Sequence, residues 1–392
     1  MAGGTSGGSS GGSSGGVAGG SAGGASGGSA GPVYAQLARF QNSRFVGIAG
    51  VGLAGAPSAV GTLRTDGGSS LYESWASDGG IVDRVDAGLS TGLAIASNRT
   101  TRAIASRFGG AISATTYAPP LAVTNGVSLG VGEVRRLQVL EGAPDRVAAL
   151  TQDLNMGVLQ VLDPGYGTAP ISGTALTLDE LIEVTDNGPL RYLVTMRCLS
   201  CQVGTLVASN PTRAHYWAAF ESNGAGGITP LWLSPTIPGG GTVTISSPVR
   251  VARDGFTYLY LAGQQPGGSL AIERRFAADG GVASTPTSMP LATSVAPLTF
   301  ADMIRGPGGP NVLVLAKAPN PTTFAGQPVG GASTNNIVVL AGSANGYSAT
   351  TLDVSGDQNP VAFAHGGDGW LYIILNEGPD TVLWRVPVPL PP

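Results

Sequence analysis

One phrase constrains the fold more than any other feature of the chain. Residues 248–263 read PVRVARDGFTYLYLAG: a short apolar strand, an Asp254-Gly255 turn, and a second apolar strand. A third strand, residues 269–276, then runs into Asp279-Gly280-Gly281. Apolar residues recur with a period of two, and Asp-Gly between such runs is a strong β-hairpin signal. The phrase predicts an antiparallel meander, and it does not stand alone.

A second copy occupies residues 360–375 and continues through 381–388. A looser copy comprises residues 298–304, 311–316 and 336–340. Earlier copies pair residues 181–184 with 191–196, 134–139 with 146–150, 81–85 with 92–96, and 33–38 with 44–49. Aligned on Phe45, Leu93, Val147, Tyr192, Tyr258, Val312 and Leu371, they recur roughly every 54 residues, near the roughly 40–50 of a four-stranded propeller blade. The expected fold is therefore all-β: a β-propeller of seven four-stranded blades over residues 33–392. A chain of β-sandwiches would need linkers that residues 33–392 lack, and a solenoid would need shorter repeats and distinct caps. The last copy runs out of chain before a fourth strand. A ring left open there would expose a strand edge, so a segment near residues 33–40 is expected to pair with the last blade.

Composition agrees with short strands and tight turns. Only 11% of the 392 residues are charged, while 63 are Gly and 28 Pro, which disfavours long amphipathic helices. The net charge is −4, Lys317 is the single lysine, and the arginines are scattered apart from Arg135-Arg136 and Arg274-Arg275. Nucleic-acid binding needs clustered cations, so no nucleic-acid partner is expected. The longest apolar stretch, residues 45–56, is too short and Gly-rich for a transmembrane segment.

Residues 1–32 are almost wholly Gly, Ser, Ala and Thr. They have nothing to bury and a high ordering entropy, so they are expected to form a disordered tether. They contain neither a basic segment nor an apolar run, so an export signal or lipid anchor is expected to be missing from this sequence.

Two resemblances follow from these residues. Val251-Ala252-Arg253-Asp254-Gly255, Tyr258-Leu259, and the strand ending Arg275-Phe276 before Asp279-Gly280-Gly281 resemble the β-propeller repeats of bacterial extracellular proteins. The N-terminal segment resembles the Gly/Ser spacer of bacterial surface lipoproteins, although it has no lipobox and no Cys near Met1. The resemblances imply an extracellular or outer-surface location.

Cys198 and Cys201, in Arg197-Cys-Leu-Ser-Cys-Gln202, are the only cysteines. A redox pair, half a zinc site and a local disulfide all fit C-x-x-C. The motif is read as lying between two strands rather than at a helix N-terminus, which favours a hairpin disulfide and an oxidising compartment. His215 and Trp217 sit in an aromatic strand, where they could line a ligand site but are read as packing between blades. His365 is read as a turn residue. Asp179, Glu180, Glu183 and Asp186 form the densest acidic cluster; calcium would suit it, yet no Asp-x-Asp-x-Asp-Gly loop is present, and turn or solvent duty is expected. Asp66, Asp78, Asp254, Asp279 and Asp368 each precede Gly and read as turn formers. Gly239-Gly240-Gly241 lacks the Lys-Ser/Thr of a phosphate loop. Asn98-Arg99-Thr100 matches a glycosylation acceptor, relevant only in a eukaryotic secretory route. Trp75, Trp217, Trp232 and Trp370 could stack on sugars if exposed, and are read as core.

No catalytic residue, metal site or cofactor can be assigned, and the ligand-binding residues are unknown at this level. The expected function is a non-catalytic binding or scaffold module recognising a protein or glycan at the cell surface. The alternatives are a propeller hydrolase or lyase with its site in the central channel, and a structural subunit of a surface assembly.

Overall fold

Every strand in the computed structural model pairs antiparallel with its neighbours, and four-stranded meanders follow one another along the chain. The structure describes strands and adjoining turns between residues 35 and 387. It does not describe residues 1–34, 51–57, 237–249, 277–286, 290–299, 388–392 or a series of shorter loops, and for 250–361 it describes backbone alone. The expected tether therefore lies outside the described residues.

β1 (Ala35–Phe40) precedes a first meander of β2 (Arg44–Gly50), β3 (Val60–Asp66), β4 (Ser69–Trp75) and β5 (Ile81–Asp86). A second follows: β6 (Thr91–Ser97), β7 (Arg102–Phe108), β8 (Ala111–Ala118) and β9 (Ala122–Gly130). The third comprises β10 (Glu133–Leu140), β11 (Arg146–Asp153), β12 (Met156–Val161) and β13 (Gly167–Thr174). The fourth comprises β14 (Thr177–Glu183), β15 (Leu190–Val203), β16 (Leu206–Ser222) and β17 (Ile228–Thr236). These two fuse into one eight-stranded sheet, because β15 is long enough to pair β14 with its first half and β13 with residues 200–203. Next come β18 (Arg250–Asp254), β19 (Tyr258–Gln264), β20 (Leu270–Phe276) and β21 (Thr287–Met289). A further sheet is built from β22 (Phe300–Gly306), β23 (Gly309–Ala318), β26 (Asn336–Ser343) and β27 (Gly346–Asp353). Between its middle strands lies a small hairpin of β24 (Thr322–Phe324) and β25 (Gln327–Val329). The last meander is β28 (Gln358–His365), β29 (Trp370–Glu377) and β30 (Asp380–Pro387), and its fourth strand is β1.

The first strand of each set packs on the first strand of the next. β2 meets β6, β6 meets β10, β10 meets β14, β14 meets β18, β18 meets β22, β22 meets β28, and β28 returns to β2. Meanders arranged in such a ring form a β-propeller.

Apolar clusters sit where neighbouring meanders meet. Ala103, Ile112 and Leu129 of the second meander pack with Leu137, Val147 and Ala149 of the third. Leu63 and Tyr72 of the first pack with Ile104 and Tyr117 of the second. Burial at that junction pushes the Tyr72 hydroxyl up to about 12, against the pull of the nearby Arg102 guanidinium. Each fully buried large side chain contributes about 1.5–3 kcal/mol, so every junction rests on both sheets it joins.

The junction between the last meander and the first closes the ring. β1 pairs β30 from Ala35 opposite Arg385 to Phe40 opposite Thr381, as the short final repeat requires. Arg39 ion-pairs with Glu377 and Asp380. The Phe40 ring meets Phe45 edge-on at 5.2 Å and Trp75 at 5.6 Å, with the Arg64 guanidinium 4.8 Å above it. Arg64 is itself held by the buried Glu73 (Nε–Oε2, 3.1 Å) and donates to Ser43 Oγ. Thr381 Oγ1 donates to the Ser43 carbonyl oxygen at 2.7 Å.

Two sequence assignments need correction. The described parts of residues 33–38 and 44–49 fall in β1 and β2, which belong to different sheets, and residues 81–85 and 92–96 likewise fall in β5 and β6. Phe45 and Leu93 thus lie on first strands, whereas the other five aligned residues lie on second strands. The first strands are as apolar as the second because their neighbours in the ring cover them, so the apolar pattern alone cannot tell the two apart.

Deleting residues 1–40 removes β1 and bares the outer edge of β30. The melting temperature should fall by about 10 °C or more, at about 2–4 °C per kcal/mol for a large domain. The exposed edge should also promote aggregation. Calorimetry with light scattering checks both, and an unchanged melt refutes the closure.

Candidate functional site

A cavity of about 520 Å³ opens where β2, β6, β10 and β14 converge at the centre of the ring. Its walls differ. β2 and β6 contribute Val46, Gly47, Ile48, Ala94 and Ile95, while β10, β14 and β15 add Arg135, Arg136, Thr177, Asp179 and Arg197 beside the aliphatic Val134, Leu137 and Leu178.

A shared backbone irregularity positions these groups. In β2, β6, β10 and β14 the pairing register shifts at the third residue of the strand: Val46, Leu93, Arg135 and Asp179. In β28 it shifts at Val361, the fourth residue. Such a bulge bends the strand and re-aims the side chain it carries. Three of these positions hold aliphatic residues, whereas the third and fourth meanders hold Arg and Asp. The next position shows the same divide: Gly47, Ala94 and Ala362 in three meanders, Arg136 and Glu180 in the other two. A small residue is needed at Gly47, where a Cβ would come within 2.9 Å of Ile95 Cγ2.

The charged groups are held by one another. Arg197, opposite Thr177 in the register, forks onto Asp179 with Nε–Oδ2 at 2.8 Å and Nη2–Oδ1 at 2.7 Å. The Asp179 side chain is 2% exposed, so both its oxygens are committed to that fork. Arg136 reaches from β10 to Glu180 of β14 at 2.8 Å and donates through Nη1 to the Arg135 carbonyl oxygen. Arg135 Nε donates to Gln152 Oε1 at 3.2 Å, and its Nη1 lies 3.1 Å from Glu133, whose side chain is 64% exposed. Gln152 is a buried hub: its Oε1 also accepts from Leu178 N, and its Nε2 donates to the Leu154 and Leu176 carbonyl oxygens. It ties Arg135 to the start of β14.

The sequence marked these residues as an arginine pair and an acidic cluster without connecting them. Turn or solvent duty for Asp179 and Glu180 is corrected: both lie in β14 and pair with Arg197 and Arg136. Asp186 and the Glu183 side chain lie outside the described residues. Among the described residues no group of three or more His, Cys, Asp or Glu gathers to hold a metal. The signal that could have found the site is the repeat itself, read one strand earlier, where charge replaces aliphatic residues.

Cys198 and Cys201 are joined in a disulfide, with Cα atoms 5.9 Å apart and neither residue exposed. They do not lie between two strands, as expected from the sequence, but within β15. The register there jumps from Cys198–Ala214 to Ser200–Ser209, and residues 210–213 of β16 step aside. That break shortens the run between the cysteines, since three residues of regular strand would span about 10 Å.

His215 is buried, and Trp217 is fully buried and edge-on to Trp232 at 4.9 Å, a contact within the fourth meander rather than between blades. Trp75 is buried and donates Nε1–H to Thr62 Oγ1, while the half-buried Trp370 lies under the Arg385 guanidinium. His365 ends β28 rather than sitting in the turn; its side chain lies outside the described residues. The turn roles hold at Asp78 and Asp368, whose carboxylates accept from Gly80 N and Trp370 N. Asp368 accepts from Tyr372 as well, and burial and that carboxylate raise the Tyr372 hydroxyl above its ordinary value. Asp66 and Asp254 end their strands at hairpins. Asn98, Gly239–Gly241 and Asp279 lie outside the described residues, as do the side chains of Arg274, Arg275 and Lys317. Among the described residues no helix is long and apolar enough to cross a membrane.

No protein-family model and no curated protein matches the sequence. Solved structures do match. The propeller of Dos1 superposes with a TM-score of 0.51 at 9% identity, over 90% of this chain and 95% of that one. The polysaccharide lyase Uly1 gives 0.48 at 10% identity, over 87% and 90%. Drosophila Plexin A, in its complex with Semaphorin 1b, gives 0.46 at 8%, over 90% and 87%. At such identity the likeness to the Dos1 propeller is one of fold.

Two outcomes are expected here. Asp179→Ala should cost about 3 kcal/mol or more by stranding a largely buried guanidinium, and the double variant Asp179→Ala/Arg197→Met should recover much of it. Urea titration checks both; equal losses in the single and double variants refute the pairing. Thiol titration of the native protein should find no free thiol, and the double Cys198→Ala/Cys201→Ala variant should lose about 2 kcal/mol, the loop entropy of so short a crosslink.

Proposed function

We propose that this propeller, read as seven blades, is a non-catalytic binding or scaffold module for a protein or glycan at a bacterial cell surface. The central cavity is its recognition site. The observation that carries the reading is the chemistry of the lining: three guanidiniums and one carboxylate already held by a guanidinium. Arginine keeps its proton at any physiological pH, so these groups can hold a charged ligand but are poorly suited to general acid–base catalysis. The disulfide supports an oxidising compartment, and hence a secreted or surface location.

The test is a screen of the immobilised domain against a glycan array and a peptide library. A retained ligand should bind at least about tenfold more weakly to Arg135→Glu, a loss of about 1.4 kcal/mol, while the melting curve stays unchanged. Mass spectrometry should recover the ligand intact. Conversion to product would make the protein an enzyme, and undiminished binding by the variant would move the site elsewhere.

A further inference from the structure

The charges at the cavity are not demanded by the fold. At the bulge Val46, Leu93 and Val361 stand where the third and fourth meanders have Arg135 and Asp179, so the bulge itself does not require a charged residue. Among the described lining residues one wall carries an excess of positive charge: three guanidiniums against one carboxylate, in a chain whose net charge is −4. Arg135 is the least compensated of the three. Its partners are the neutral Gln152 amide and a Glu133 carboxylate so exposed that water screens it. The opposite wall is aliphatic, and among the described residues no lining residue is aromatic, so this part of the cavity presents no ring face for a sugar to stack on.

On the reading that this cavity is the recognition site, we propose that it takes a carboxylate borne on an apolar stem. The carboxylate sits against Arg135, where Gln152 fixes the guanidinium, and the stem lies along Val46, Ile48 and Ile95. The Asp179–Arg197 fork, already satisfied, flanks the anion with a second guanidinium and resists collapse of the cavity. A volume of about 520 Å³ suits a stem of small-molecule size. The carboxylate's source is either a free organic acid or the C-terminus of a peptide ending in an apolar residue.

Calorimetric titration of the full chain distinguishes the possibilities with matched probes: 4-phenylbutyrate and 4-phenylbutyramide, N-acetyl-Gly-Leu with a free or amidated C-terminus, and glucuronate. The expected result is binding of the first acid, the free-acid peptide or both, each at least about tenfold tighter than its amide, as a charge-assisted bidentate contact gives. The preferred acid names the source. Arg135→Gln should remove that preference, whereas Arg191→Gln, whose guanidinium pairs with Glu221 on β15 and β16, should keep it. Equal binding of acid and amide, both weakened by a bulky Ile48→Trp, overturns the carboxylate inference and keeps the cavity as the site. Binding indifferent to both cavity variants overturns the site as well. Tighter binding of glucuronate overturns the apolar stem, and no binding by any probe overturns the inference.

Discussion

The pairing of β1 with β30 is the joint on which the rest of the ring depends. Each short meander cannot cover its own faces, so its core residues are shared with the meanders beside it. A chain of such sheets has two unsatisfied ends unless they meet. They meet here through strand pairing from the N-terminal side, ion pairs from Arg39, and an aromatic corner of Phe40, Phe45 and Trp75. Beneath that corner the Arg64–Glu73 pair is buried, an arrangement that is costly if either partner is lost. Closure therefore depends on groups more than 300 residues apart in the chain.

Much of this was legible in the sequence because the signals are local. Asp-Gly turns and period-two apolar runs depend on neighbouring residues, and the meanders appear where those signals stand. The terminal closure was legible by counting, since the last repeat has too few strands. What was not legible is non-local. β2 and β6 look like second strands because the ring buries first strands too. Cys198 and Cys201 look like a turn because nothing in six residues announces that β15 continues through them and that β16 supplies the slack at residues 210–213. Asp179 looks like a solvated carboxylate until β15 brings Arg197 across to it.

The candidate site belongs to that non-local class, and the reason is general to repeat folds. Neighbouring sheets need small or aliphatic residues where their first strands converge, and Gly47, packed against Ile95, shows how little room there is. The bulge repeated in those strands turns one residue per sheet out of the regular ladder, so that residue is freer to vary than its neighbours. In the third and fourth meanders it has become Arg135 and Asp179, and the residues beside them, Arg136 and Glu180, bridge the two meanders at 2.8 Å. That interblade ion pair does the joining that small residues do elsewhere. The ring then keeps its packing while the flanking guanidiniums of Arg135 and Arg197 face the cavity. A position that carries charge in two of the five bulged first strands described cannot be explained by packing common to all five. On the proposed function, binding is the demand that separates those two from the rest.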